Sequence, residues 1–258
     1  MIKRELTYFL TAIMFFTRIP IPFKIPYSHE IMNKSQKYFP LIGYIVGAMS
    51  VLIYFCASYL FSEEIAIVLS IIGTVLLTGA FHEDGFTDIC DSFGGGYGKE
   101  KIMTIMKDSR IGAYGVIGIV LLLLLKVLAL TELAHLSTTL LLTTMLNGHV
   151  TSRFHAATTI YTHKYVRDTD DSKSKPMANK KLRYNSLFFS FIITLIPYLL
   201  FDNWLFISAF FISYIGKIYL TTYFKKHIGG YTGDCLGTIQ QVCEVLFYLT
   251  TLTLWKFM

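Results

Sequence analysis

The run VIGIVLLLLLKVLAL, residues 116–130, holds one charged side chain, Lys126, in fifteen positions. A helix built from it has no face polar enough to meet water, so it is either enclosed by protein or crosses a membrane. A second run, SLFFSFIITLIPYLLF at 186–201, has no charge at all. Across 258 residues, 53% are hydrophobic and 16% are charged, against about 25% charged in soluble domains. Mean hydropathy is +0.52. A soluble all-helical core is the competing reading, and these runs leave it too little polar surface.

Scanning for apolar stretches of about 20 residues finds candidate spans near 41–61, 64–81, 111–131, 134–152, 186–201, 204–224 and 236–257. The expectation is an all-α, polytopic integral membrane protein with about seven transmembrane helices, forming a single membrane-embedded catalytic domain over 1–258. The N-terminal MIKRELTYFLTAIMFFTRIPIP lacks a small-residue cleavage site, and Pro20, Pro22 and Pro26 end its helix. It reads as an amphipathic or re-entrant segment. Cys56, Cys90, Cys235 and Cys243 lack metal-site spacing and imply no disulfide framework.

Basic residues orient the chain. If 1–40 is cytoplasmic, then 82–110, 153–185 and 225–235 are too, and these four segments hold 20 of the 23 Lys and Arg. The opposite loops, FSEE, TELAH and FDNW, hold none. Such asymmetry marks the basic side as cytoplasmic, and places the protein in the cell membrane with its polar segments facing inward. The net charge of +6 is then explained by loops beside anionic lipid headgroups, with no nucleic-acid partner.

One of the inward segments is FHEDGFTDICDSFGGGYG, residues 81–98. Read as a helix continuing from the second span, it sets Asp84, Asp88 and Asp91 at i, i+4 and i+7, within about 60° of arc. Like charges so placed destabilise a helix unless compensated. Hard oxygen donors without His or Cys partners point to Mg²⁺ or a similar divalent ion; the plainer alternative is a solvated acidic helix end. Glu83 and His82 point away from the stripe, Glu83 as a further possible ligand and His82 as a hydrogen-bonding neighbour. Gly94, Gly95 and Gly96 can offer backbone N–H groups to phosphate, although most glycine clusters are flexible connections. Lys107 and Arg110 follow as cationic donors, so the segment reads as a diphosphate clamp. On the last span, Asp234, Thr238 and Gln241 form a polar stripe with Glu244 at its edge, and ionisable groups in a span usually mark function. Asp234 is the fourth metal-ligand candidate. Arg153, closing NGHVTSR, could point at the acidic helix and joins Gln241 as a substrate-binding candidate. The remaining basic residues of 153–185 read as a solvated loop.

The motifs FFTRIPIP, KYFPLIGYIVG, DGFTDICDSFGG, IMKDSRIGAYG and GGYTGDCLGTIQQVCEV, in this order over nearly the whole chain, resemble the cobalamin synthase family, the adenosylcobinamide-GDP ribazoletransferases. The resemblance implies an Mg²⁺-dependent membrane transferase of late cobalamin biosynthesis. Such an enzyme joins adenosylcobinamide-GDP to α-ribazole or its 5′-phosphate and releases GMP, with membrane lipid around it and oligomerisation left open. Family members often carry a small apolar residue where Glu83 stands, which lowers its weight beside Asp84. In this reading Asp84, Asp88, Asp91 and Asp234 hold Mg²⁺, Lys107, Arg110 and the glycines orient the diphosphate, and Asp91, or else His82, serves as general base. The DGxxDxxD pattern is also similar to the CDP-alcohol phosphotransferase signature, though the Ala-Arg pair of that signature is absent. A lipid-type CDP-alcohol phosphotransferase and a divalent-cation transporter are the rival readings.

Overall fold

The computed structural model describes residues 2–167 and 184–257. Among these, eleven α-helices form and no sheet, the one β-type contact being a bridge between Tyr165 and Tyr231. The helices are α1 (Ile2–Phe16), α2 (His29–Ser35), α3 (Phe39–Ser58), α4 (Glu63–Thr78), α5 (Phe81–Gly95), α6 (Gly98–Ile105), α7 (Ala113–Leu136), α8 (Thr138–Thr162), α9 (Tyr184–Leu195), α10 (Ser208–Ile228) and α11 (Gly233–Trp255). Lys173, Lys175, Lys180, Lys181 and Arg183 of the basic loop lie outside the described residues.

Every predicted span has a helix, but the count of seven is not reached. Among the described residues, four segments are long and apolar enough to cross a membrane alone: His29–Ser58, Ala113–Leu136, Trp204–Ile228 and Gly233–Trp255. The pair α4 and α5 qualifies only jointly, across a bend of 91°. Helix α9 with its 3-10 extension, Tyr184–Leu200, is short, and α8 carries too many Thr, Ser, His and Asn side chains to qualify.

The reason α8 is polar is its position. From Thr143 to Ile160 nearly every residue of it is buried, because it runs through the centre of the bundle between α3 and α11. Close approach needs small residues on its partners. A Cβ on Gly43 of α3 would stand 2.6 Å from the His149 carbonyl oxygen, and one on Gly148 of α8 would stand 2.3 Å from the Tyr248 ring. Helix α7 shows the complementary pattern: Leu122, Lys126, Ala129, Leu130 and Leu133 form its buried stripe, while Val120, Leu121, Leu124, Leu125 and Leu128 are exposed. With Phe211, Ile215 and Ile218 exposed on α10, the outer surface is apolar where a soluble protein would be charged, as a lipid-facing surface requires.

Helix α1 is amphipathic, burying Tyr8, Ala12, Ile13 and Phe16 against α2 and α3 while Leu6 and Met14 are exposed. After it, Arg18 donates its backbone N–H to the Leu77 carbonyl at 2.7 Å and lays its guanidinium over Gly79. That contact lies at the bend. Gly79 and Ala80 both adopt left-handed backbone angles, φ 66° and 56°, which no continuous α-helix can contain. The acidic segment is therefore not a continuation of the second span, as its sequence suggests, but a separate helix turned across it.

Candidate active site

Helix α5 crosses the start of α11 at two glycines. A Cβ on Gly85 would lie 3.0 Å from the Asp234 Cα, and one on Gly237 would lie 2.9 Å from the His82 carbonyl oxygen. With no side chain between them the backbones meet, and Thr238 Oγ1 donates to the Gly85 carbonyl at 3.4 Å. This crossing brings Asp84 and Asp88 of α5 to Asp234 of α11, close enough for their charges to act on one another. Thr232 caps α11, accepting from the Cys235 N–H, and the cap fixes Asp234 in the first helical turn.

The carboxylates differ in what already occupies them. Asp84 is exposed and Asp88 half-buried, and neither has a hydrogen-bond or ion-pair partner among the described residues. Asp234 Oδ2 accepts from Arg167 at 3.3 Å and from Thr232 Oγ1 at 3.3 Å. Arg167 was read from the sequence as a solvated loop residue; the Tyr165–Tyr231 bridge carries it to the site, and no local pattern announces that.

Asp91 lies within electrostatic reach of Asp88, but unlike Asp84 and Asp88 both of its oxygens are already engaged, which sets it apart from the metal-ligand and base role expected of it. Its Oδ2 accepts from the Gly112 N–H at 2.7 Å and its Oδ1 from the Gly115 N–H at 2.8 Å. It caps the N-terminus of α7, where unpaired N–H groups and the helix dipole both favour an anion. The spacing of RIGAYG follows, since a Cβ at Gly112 or Gly115 would stand 2.4 or 2.3 Å from the Asp91 carboxylate.

The glycine clamp is corrected too. Gly94 and Gly95 lie inside the last turn of α5, where their N–H groups belong to the helix ladder. A Cβ on Gly94 would meet the Tyr114 ring at 2.6 Å, and one on Gly96 the Ser92 carbonyl oxygen at 2.5 Å. Gly94 and Gly96 thus admit close neighbours, and the helical N–H groups of Gly94 and Gly95 are not directed outward as a phosphate cradle needs. Arg110 is 87% exposed and donates to Asp108, with NH2 to Oδ2 at 2.6 Å; those hydrogen bonds hold the Asp108 carboxyl down at about 2. Lys107 is exposed nearby. His82 is buried, stacks on Phe39 with ring centroids 5.9 Å apart, and turns away from Asp84.

Behind the crossing lies a buried polar network that the sequence showed only in pieces. Lys126 Nζ donates to Glu244 Oε1 and to Gln241 Oε1, both at 2.8 Å. His149 Nδ1 is 3.0 Å from Glu244 Oε2, and Arg153 donates to the His149 carbonyl at 3.0 Å. Gln241 Nε2 donates to Glu83 Oε1 at 2.8 Å, so Glu83 and Gln241 tie this network to α5. Arg153 sits within electrostatic reach of Glu83 and Glu244, and to that extent does face the acidic helix. Removing ions from water costs several kcal/mol each, a cost these pairings offset.

Among the described residues no three His, Cys, Asp or Glu side chains meet as a ready metal-holding group. The donor chemistry at the crossing nevertheless suits a hard divalent ion: carboxylates only, two of them without partners.

Fold and site together define an integral membrane protein whose polar centre is built where two distant helices cross. The chain belongs to the cobalamin-5-phosphate synthase family, whose model matches residues 8–252. It is similar to the adenosylcobinamide-GDP ribazoletransferases of Shewanella amazonensis, at 42% identity over 98% of both chains, and of Leptospira interrogans, at 44% over 99% of this chain and 98% of that one. The Vibrio cholerae protein of the same name is 43% identical over 97% and 95%. No solved structure matches significantly.

Proposed function

We propose that this protein is an adenosylcobinamide-GDP ribazoletransferase of the cell membrane, acting at the crossing of α5 and α11 on the cytoplasmic face. A ribose hydroxyl of α-ribazole or its 5′-phosphate attacks the phosphorus on the cobinamide side of the diphosphate. The bond from that phosphorus to the bridging oxygen breaks, and GMP departs. The observation that carries the reading is the pair of partnerless carboxylates, Asp84 and Asp88, set against Asp234 in a chain of this family.

Asp84, Asp88 and Asp234 would hold Mg²⁺, which when bound supplies positive charge against the departing phosphate. Arg167, beside Asp234, is placed to orient an anionic substrate at the same crossing. Asp91 acts by holding the end of α7 against α5, and Glu83 by anchoring α5 to Gln241. Lys107 and Arg110, exposed on the segment before α7, are available to the diphosphate only if Arg110 leaves Asp108.

The test uses adenosylcobinamide-GDP labelled at the cobinamide-side phosphorus, incubated with purified protein, Mg²⁺ and α-ribazole. The label should appear in the corrinoid product, with unlabelled GMP released only when both substrates are present. Label in the nucleotide would reverse the direction of transfer and overturn the proposal.

A further inference from the structure

Helix α11 runs from the carboxylate crossing, with Asp234 in its first turn, to Trp255 at its far end, about 30 Å along its axis. There, where the α7–α8 turn and the segment joining α9 to α10 come together with that last turn, a cavity of about 540 Å³ opens. Ligand sites run from about 300 to 1,000 Å³. Its lining is of two kinds: Ser137, Thr139, Thr143 and Asp202 supply oxygens, while Leu200, Phe206 and Trp255 supply apolar walls. Ser137 Oγ caps α8, accepting from the Leu140 N–H at 3.3 Å. The side chains of Thr139, Thr143 and Asp202 have no hydrogen-bond or ion-pair partner among the described residues. Leu200 is 54% exposed and Trp255 38%, so the cavity gives onto the apolar outer surface. The chain's two tryptophans, Trp204 and Trp255, both stand at this end, and tryptophan collects at the level of lipid headgroups.

Charge selects the occupant. No Lys or Arg lines the cavity among the described residues, and the neighbouring Lys256 is paired with Glu132 at 3.7 Å. An anionic headgroup would meet Asp202 with no cation to neutralise it. A wholly apolar chain would cover a carboxylate and two hydroxyls without satisfying them. The lining asks for an ammonium beside Asp202, acceptors for the threonine hydroxyls and an apolar tail for the open side, and an aminophospholipid carries all three. We propose that this cavity is a lipid site for a phospholipid with a primary ammonium headgroup. The ammonium donates to Asp202, the phosphate accepts from Thr139 and Thr143, and the acyl chains leave past Leu200 and Trp255. The inference depends on the chain's lying in a membrane and not on the transferase chemistry.

The test reads the cavity through its own tryptophan. Trp204→Phe, at a residue outside the cavity lining, leaves Trp255 as the chain's one tryptophan. This protein is placed in unbrominated phosphatidylglycerol vesicles, and lipid brominated on its acyl chains is titrated in. Half-maximal quenching should come at a mole fraction about fivefold or more lower for phosphatidylethanolamine than for phosphatidylcholine, whose methylated nitrogen has no N–H to donate. Adding Asp202→Asn, at an exposed position where folding is not at stake, should erase the difference by weakening the phosphatidylethanolamine response alone. Equal quenching by the two lipids, or a preference that survives Asp202→Asn, would overturn the site. Stronger quenching by brominated phosphatidylglycerol than by phosphatidylethanolamine would overturn it too, since the cavity would then hold an anionic lipid.

Discussion

Asp91→Ala removes the carboxylate that caps α7 and leaves the Gly112 and Gly115 N–H groups, now bonded at 2.7 and 2.8 Å, without their acceptor. Hydrogen bonds to a charged group contribute about 1.5–3 kcal/mol each, and loss of a helix cap costs about 0.5–2 kcal/mol. Because Asp91 is only half-buried, water recovers part of the loss, and the expected destabilisation is about 2–4 kcal/mol. Asp91→Asn keeps one acceptor and turns an NH₂ toward the other donor, so it should fall roughly midway. Denaturant titration in detergent micelles, followed by helical circular dichroism, reads the difference. Mg²⁺ affinity should fall far less in both than in Asp84→Asn, by no more than the loss of one neighbouring charge from Asp88. The reasoning is refuted if Asp91→Ala is as stable as wild type and instead loses metal binding, for then the carboxylate serves the ion and not the helix.

The other expectations rest on the same geometry. Glu244→Gln should destabilise more than Lys126→Met, by about 3–5 kcal/mol for the former, because it leaves Lys126, His149 and Arg153 around a neutral group; the same titration ranks them. Gly85→Val should abolish turnover by forcing α5 off the Asp234 backbone, while Gly98→Ala, which faces open space at φ 76°, should cost about 1–2 kcal/mol of backbone strain and keep activity. A cysteine at Lys99 should react only with reagents that reach the cytoplasm and one at Glu132 only from outside; the reverse pattern would invert the topology.

The helices were legible because lipid demands long apolar runs, and each predicted span has its helix. The pairing of Asp84 and Asp88 with Asp234 was legible for a related reason, since ionisable groups in an apolar chain stand out. What stayed hidden depends on distance along the chain. Nothing near Asp91 shows that its partners are Gly112 and Gly115, 21 and 24 residues on. Lys126 and Gln241 meet across 115 residues, so Lys126 looked like a stray charge in a span. The α4–α5 bend turns on Gly79 and Ala80, and alanine is a helix former whose left-handed angle only tertiary contacts impose. Gly94 and Gly96 resembled a phosphate loop because glycines that admit a neighbouring side chain and glycines that admit a ligand are spelled alike.

The central claim is that Asp84, Asp88 and Asp234 form the metal-dependent centre of a transferase. Its most direct test is GMP release from adenosylcobinamide-GDP by Asp84→Asn as Mg²⁺ is titrated, with Mn²⁺ binding followed in parallel by electron paramagnetic resonance. The account predicts that Asp84→Asn inserts, purifies and unfolds like wild type, yet binds the ion weakly and releases no GMP at Mg²⁺ levels that saturate the wild-type enzyme. Wild-type rates of GMP release from Asp84→Asn at ordinary Mg²⁺ would contradict it.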